Sequence, residues 1–476
     1  MAKKATMSNN SVAVMIANRL SKVKPIKGQM GQVTINTGHR LQSAPKYFLD
    51  LGLQSFERLA APLPFGRFCE FSGLPQSGKT ALCLRSAIRA QQGYIYEIVV
   101  DEQGNKTKRF LTPEEYNITI LYIDNEGSLN ENETIYADGV KLDILHEDEK
   151  GNQVGSVVVV RAETVDLTFK LIDQTITQLE EAEETSKKKQ FLLCVVDTIN
   201  GTASKEELEQ EWGKVDYGRQ PKQISEGLRS IMPRVERQNV LLLGVNQIRE
   251  NLKYQPPMHS NPNAEDPDPL QFSISGGRSI PYWTSLRVLF YKINKKYVIT
   301  KGAQFESGLL IGFRTLKNRM QPGVRTGRFT ILTSQTKGGI RDDFSILETL
   351  LHLGCAELDP ADKETIIFKF KRNGLMPTTF TNTTKSLEDE SDEEETTTGR
   401  YKDPRIPGRQ AWPKFYEEHK ADIQLLWEKA VKYAFTVQGI DDSDTPSSID
   451  ADDTDEDVYE NQSTGKKRPT IETAEL

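Results

Sequence analysis

The chain has 476 residues, 37% hydrophobic and 8% aromatic, enough for two to four domains and at least one large core. Its formal charge of −7 conceals a division: Ser386–Thr398 and Gly439–Asn461 hold 7 and 10 of the 68 acidic residues and no basic one, leaving 61 basic against 51 acidic residues elsewhere. Four scattered cysteines without a CxxC pair exclude a disulfide framework or zinc site, and with no apolar stretch near 18 residues neither export nor membrane insertion is supported.

A basic body with an acidic tail suggests a polyanion partner, and a tail that either competes for the same surface or merely keeps the protein soluble. Cys69, Cys83, Cys194 and Cys355 lie in apolar surroundings, as buried thiols of a reducing compartment do, so the expected location is the cytoplasm.

Residues 1–45 mix a short amphipathic stretch, Val12–Val23, with a basic, Gly-rich connector, and read as an arm for oligomerisation. The run Phe68–Phe71 then leads into GLPQSGKT, Gly73 to Thr80, followed by a helical segment at Ala81–Gln92. A glycine-rich turn from strand to helix is the context of a phosphate-binding loop. Gly73 and Gly78 let backbone N–H groups curl around phosphate oxygens, Lys79 reaches the β and γ phosphates, and Thr80 holds Mg²⁺. The nucleotide-contacting set is thus Gly73, Leu74, Pro75, Gln76, Ser77, Gly78, Lys79, Thr80 and Ala81.

Strands and helices alternate from there. The strand Ile118–Ile123 runs into Asp124 and Glu126, at the end of a parallel strand that faces a ligand. Glu126 is the candidate to polarise an attacking water, the alternative being that both carboxylates cap the next turn. Val157–Val160 and a helix over Thr168–Glu184 precede the strand Phe191–Val196, which ends in Asp197, placed to accept from the Mg²⁺ shell and from Thr80. A helix at Gln223–Gln238 leads to Val240–Val245 and then Gln247, an uncharged side chain able to sense the γ phosphate. Long polar segments, Thr202–Gln220 and Leu252–Pro281, follow these two strands beside the nucleotide, where either could report its state.

Three strands without intervening helices, Leu286–Tyr291, Leu309–Leu316 and Phe329–Leu332, imply a β-rich edge on a largely parallel sheet. The expected organisation is an α/β nucleotide-binding core over 46–340, a small α+β module over 341–438 carrying the acidic insert 386–398, and an acidic disordered tail over 439–476.

The ordered set GRFCEFSGLPQSGKTALCL, LYIDNEGSL, LLCVVDTI, LLLGVNQIR, SGGRSIPYWTSLRVLF and LKNRMQPGVRTGRFTIL resembles the RecA family of recombinases, and the likeness extends over about residues 60–460. The resemblance implies a RecA-like core, ATP and Mg²⁺ as cofactors, and DNA-dependent ATP hydrolysis. It also implies a homo-oligomer, filament or ring, on single-stranded DNA that pairs it with homologous duplex, served by loading or single-strand-binding proteins. Two further readings share this core: a hexameric DNA helicase, and a recombination mediator without turnover.

The resemblance also carries individual roles. Lys317 and Arg319 match the segment that reaches a neighbouring subunit's nucleotide, and Tyr136 matches the residue that stacks on adenine, at a longer spacing from Glu126 than the family pattern. Single-stranded DNA falls to Arg219, Arg249, Lys253, Gly276, Gly277 and Arg278, with Trp212, Tyr217, Tyr254 or Phe272 available to stack. The second loop departs from the family in its acidic, proline-rich stretch HSNPNAEDPDP, which is expected to bulge away from DNA.

Overall fold

The computed structural model describes residues 45–101, 103, 106–127, 129, 140–149, 153–204, 219–251, 268–274, 277, 279–300, 303–321, 323–332, 339–370, 373–375 and 403–437. The expectations for the amino-terminal arm, the acidic insert and the acidic tail lie outside the described residues.

After β1 (Tyr47–Leu49), α1 (Gln54–Leu59) and β2 (Leu63–Pro64), the chain enters β3 (Arg67–Gly73), the phosphate loop and α2 (Lys79–Gln91). Then come β4 (Ile95–Val100), β5 (Lys106–Phe110), β6 (Tyr116–Asp124), the short pair β7 (His146–Glu147) and β8 (Gln153–Val154), and β9 (Val157–Val160). Next are α3 (Val165–Thr185), β10 (Lys189–Asp197), α4 (Arg219–Arg237), β11 (Asn239–Glu250), β12 (Phe272–Ile274) and α5 (Ser279–Trp283). The strands β13 (Leu286–Thr300), β14 (Ala303–Asn318), β15 (Thr326–Leu332) and β16 (Gly339–Arg341) close this part of the chain.

The central sheet runs β16-β15-β14-β13-β3-β11-β10-β6-β9. From β13 to β9 each neighbouring pair is parallel, and from β13 to β16 each is antiparallel. This is the α/β fold with a parallel centre and a β-rich edge that the apolar runs predict: central parallel strands are buried on both faces and so read as continuous hydrophobic sequence. Residues two apart share a face, and the two faces feed different cores. Cys69, Phe71, Leu193, Val195, Leu243 and Val245 pack under α2, while Phe68, Cys194, Val196 and Leu242 pack under α3 and α4.

Helix α3 follows the same logic. Val165, Thr168, Ile172, Ile176 and Leu179 recur at helical spacing and are its buried stripe. Thr164 caps it by accepting from Leu167 N at 3.1 Å. Arg234 of α4 ties the two helices together through Asp173 and, at 2.8 Å, Glu180. At Gly227 a Cβ would lie 2.3 Å from the Phe169 ring, so the helices approach as closely as they do only because that position has no side chain.

Two features were not expected from sequence. The strands β2-β1-β4-β5 make a separate antiparallel sheet, whose last member, KTKRF, is exposed at every residue. Arg85 of α2 is buried and donates to the carbonyls of Leu51, Gly52 and Ile340 at 2.5, 2.9 and 2.9 Å, joining the phosphate-loop helix to this sheet's exit and to β16.

Beyond β16 lie α6 (Asp342–His352), a three-stranded sheet of β17 (Ala356–Leu358), β18 (Ile366–Phe368) and β19 (Arg405–Ile406), and the helices α7 (Trp412–Glu418) and α8 (Lys420–Val437). Trp412, stacked on Phe368 at 5.6 Å, and Trp427 are fully buried there. All four cysteines are buried and none forms a disulfide, and no described helix is long and apolar enough to cross a membrane.

Gly227→Ala should drive a methyl group into Phe169 and cost about 1–3 kcal/mol, read as a lower denaturant midpoint with retained secondary structure.

Candidate nucleotide site

The register of four parallel strands brings the chemistry together. Gly73 at the end of β3 is paired with Gln247 of β11, Val196 of β10 with Gly244 of β11, and Asp197 with Asp124 of β6. Each strand therefore delivers its last residues to one edge, where a parallel sheet presents the start of its helices.

The loop itself is shaped by its glycines. A Cβ on Gly73 would lie 2.4 Å from the Phe290 carbonyl oxygen and 2.5 Å from Ser77 Oγ, so only glycine lets the strand turn there. Gly78 takes φ +81° and caps α2, leaving the first N–H groups of that helix aimed into the loop. Ser77 and Lys79 are buried, Leu74, Thr80 and Ala81 half-buried, and Pro75 and Gln76 exposed.

Lys79 Nζ donates to the Gly73 and Leu74 carbonyls at 3.0 and 2.8 Å and to Ser77 Oγ at 3.4 Å. Burial lowers its pKa, against the opposing pull of Asp197 and Glu126. Thr80 Oγ1 donates to Asp197 Oδ2 at 2.8 Å, and the Tyr122 hydroxyl reaches the same oxygen at 3.3 Å. Burial pushes the Asp197 carboxyl up to about 6, with Glu126 adding to the rise and the bonds from Thr80 and Tyr122 opposing it.

Asp197 Oδ1 is buried without a hydrogen-bond partner. An orphaned carboxylate oxygen beside a threonine hydroxyl is a hard-oxygen set that suits Mg²⁺, so these residues fit the cation that accompanies a nucleotide.

The two carboxylates after β6 behave differently. Asp124 is buried and accepts from Leu129 N at 3.0 Å, closing the turn, whereas Glu126 accepts from Gln247 Nε2. The capping alternative thus describes Asp124 and leaves Glu126 facing the nucleotide edge. Asn125 braces the turn, accepting from Ala162 N at 3.1 Å and donating to the Thr198 carbonyl at 3.2 Å.

Lys317 and Arg319 converge on α5. Lys317 Nζ donates to the Pro281 and Tyr282 carbonyls at 2.5 and 3.2 Å, and Arg319 Nη2 to the Tyr282 carbonyl at 3.1 Å. Burial, with Arg319 and Arg287 nearby, brings the Lys317 ammonium down to about 8. Lys317 lies opposite Arg287, which lies opposite Glu70, whereas Gly73 lies opposite Phe290. The pair is therefore displaced from its own phosphate loop by three residues along the strand and two strands across, on the order of 10 Å in each direction.

Among the DNA-facing candidates, Arg219 opens α4, Arg249 lies in β11 opposite Ser273, Phe272 is half-buried in β12, and Gly277 is exposed at φ +74°. A Cβ on Gly277 would come within 3.1 Å of Pro221, so the end of the second loop meets the end of the first. Tyr136, Trp212, Tyr217, Lys253, Tyr254, Gly276 and Arg278 lie outside the described residues. Sequence reasoning passed over Glu70, Asn246 and Arg287, which form a chain around two buried residues, Glu70 and Asn246: Asn246 Nδ2 donates to Glu70 Oε1 at 2.7 Å and the half-buried Arg287 donates through Nε to Glu70 Oε2. The signal was a glutamate inside the apolar run RFCEF.

The fold is an α/β P-loop core of the RecA-like type, and the residues gathered at its edge fit a nucleotide with its cation. The RecA N-terminal domain family matches residues 149–338, a span that holds Asp197, Gln247, Lys317 and Arg319 and begins after the phosphate loop. The chain is 25% identical over 296 residues to Protein RecA of Aquifex pyrophilus, covering 61% of the chain and 65% of the relative. It is 26% identical over 273 residues to Protein RecA of Chlamydia trachomatis, covering 57% and 60%, and 25% identical over 330 residues to that of Laribacter hongkongensis, covering 67% and 71%. It spans less than two thirds of the length of the first two relatives. Over these spans the chain is similar to RecA proteins.

Two outcomes follow from the geometry. Lys79→Ala should weaken nucleotide binding by about 100-fold or more in a fluorescent-nucleotide titration, because the loop loses its one ammonium. Asp197→Asn should act in opposite directions on fold and ligand. A raised carboxyl pKa favours the folded protein below the unfolded value and loses that contribution as pH rises through about 6. At about pH 7.5 the variant should therefore melt a few degrees higher without nucleotide, yet gain less from Mg²⁺ and ATP; at about pH 5 the difference without nucleotide should shrink.

Proposed function

We propose that the protein is an ATP-dependent DNA recombinase that polymerises on single-stranded DNA, pairs it with homologous duplex and releases it on hydrolysis. One observation carries this reading. The phosphate loop, Thr80–Asp197 and Glu126–Gln247 gather at one edge of the sheet, while Lys317 and Arg319 sit too far away to serve the same nucleotide. A head-to-tail neighbour could supply them, and repetition of such a contact builds a helical polymer.

On this reading Lys79 exchanges the loop carbonyls for the β and γ phosphates. Thr80 and Asp197 hold Mg²⁺, which when bound screens charge on the transferring phosphate. Glu126 orients the attacking water, but only after Gln247 lets go of it. Gln247 lies on β11 just before the second loop, so ordering of that loop by DNA would free Glu126. Lys317 and Arg319, turned from the α5 carbonyls toward the adjoining copy, would stabilise charge at the γ phosphate. The joined ends of the two loops, at Pro221 and Gly277, would hold the strand. Loading and single-strand-binding proteins would act on this polymer, not within its site.

ATP hydrolysis should rise at least tenfold with single-stranded DNA, since the Gln247–Glu126 contact restrains the basal rate; equal rates with and without DNA would refute the proposal. Electron microscopy with a non-hydrolysable ATP analogue should show open helical filaments, and closed six-membered rings would favour a helicase. Lys317→Ala should leave nucleotide affinity within about twofold and lower DNA-stimulated turnover by about 100-fold.

A further inference from the structure

A carboxylate inside a buried strand needs partners, and those of Glu70 trace a path across the sheet. Glu70 is fully buried, bonded on one oxygen by Asn246 and on the other by Arg287. Asn246 Oδ1 accepts in turn from Asn200 Nδ2 at 2.5 Å. Asn200 lies between Asp197 and the start of the first loop, and the far end of that loop is tied to it, because Gln220 Nε2 donates to the Asn200 and Thr202 carbonyls at 3.2 and 2.8 Å. In the other direction Arg287 stands opposite Lys317, whose ammonium rests on the carbonyls of α5 at the end of the second loop.

Packing does not require this arrangement. A leucine would fill the Glu70 position without obliging β11 and β13 to supply polar partners, and such a chain is specific only while every member is bonded. Asn246 and Gln247 are adjacent on β11 and so point to opposite faces: one joins the chain under α4, the other meets Glu126 at the nucleotide edge.

We propose that Glu70 is a positioning residue that couples the first loop to the Lys317–Arg319 pair, an inference that rests on the shared nucleotide site described above. Glu70 holds the Arg287 charge beside Lys317. A shift of Asn200, when the first loop takes up a nucleic-acid strand, alters the Asn246 and Arg287 bonds to Glu70. The changed charge beside Lys317 then decides whether its ammonium stays on the Pro281 and Tyr282 carbonyls or turns to an adjoining copy.

The test uses the full chain and two variants, Glu70→Gln and Asn200→Ala, with oligothymidylate as the nucleic acid. Asn200→Ala should speed amide hydrogen exchange at residues 279–285 by about threefold although Asn200 bonds to none of them, and adding it to Glu70→Gln should change exchange no further. In turnover assays both variants should keep the DNA-independent rate and nucleotide affinity within about twofold while losing about tenfold of the DNA stimulation. Unchanged exchange at 279–285 in Asn200→Ala, or equal loss of basal and stimulated rates, would overturn the coupling. If Glu70→Gln does not fold, Asn200→Ala alone decides on the same readouts. An unmodified protein without DNA stimulation would reject the recombinase reading, while the exchange measurement would still decide the coupling.

Discussion

The parallel alignment of β3, β11, β10 and β6 is the constraint on which the site depends. Because these strands run in register and in one direction, the residues that end them arrive side by side: Gly73 next to Gln247, Asp197 next to Asp124. The sheet supplies the positions and the alternation along each strand supplies the sidedness. Odd positions such as Val195, Asp197, Val245 and Gln247 face α2 and the phosphate loop. Even ones such as Val196, Gly244 and Asn246 face the helices that carry the loops' ends. On the proposed reading, one set of strands serves a nucleotide on one face and a nucleic acid on the other.

That arrangement holds charge where water does not reach. Lys79 and Asp197 are nearly buried, and burial works against both ionised forms, lowering the ammonium and raising the carboxyl. Each compensates partly for the other, and the loop carbonyls and hydroxyls around them do the rest. A site of this kind is least settled without its ligand, which is what makes triphosphate a conformational ligand as well as a substrate on the proposed reading. The same reasoning separates the nucleotide site from the Glu70 chain, where each oxygen of the carboxylate already has a donor.

Much of this was legible in the sequence because buried parallel strands are written as apolar runs that end in a single polar residue. The phosphate loop, Asp197 and Gln247 stand where such runs stop, and the absence of helices after Leu286 gave the antiparallel edge. The amino-terminal sheet was not legible: β1 has three residues, and KTKRF carries no alternation that a half-buried strand would show. Nor was the Glu70 chain, since its bonds join residues 176 and 217 positions apart and no local pattern announces such a pairing. The distance of Lys317 from its own phosphate loop is likewise a matter of register, invisible until Arg287, Glu70 and Phe290 are seen opposite their partners.

The central claim is that each nucleotide is enclosed by two copies, with Glu126 from one and Lys317 from the next. Mixing separately purified Glu126→Gln and Lys317→Ala protomers on single-stranded DNA tests it directly. Each alone should turn over near background, and random assembly of equal amounts should recover about a quarter of the unmodified rate, because that share of boundaries pairs an intact Glu126 with an intact Lys317. A mixture no faster than the sum of its parts at any ratio would contradict the account.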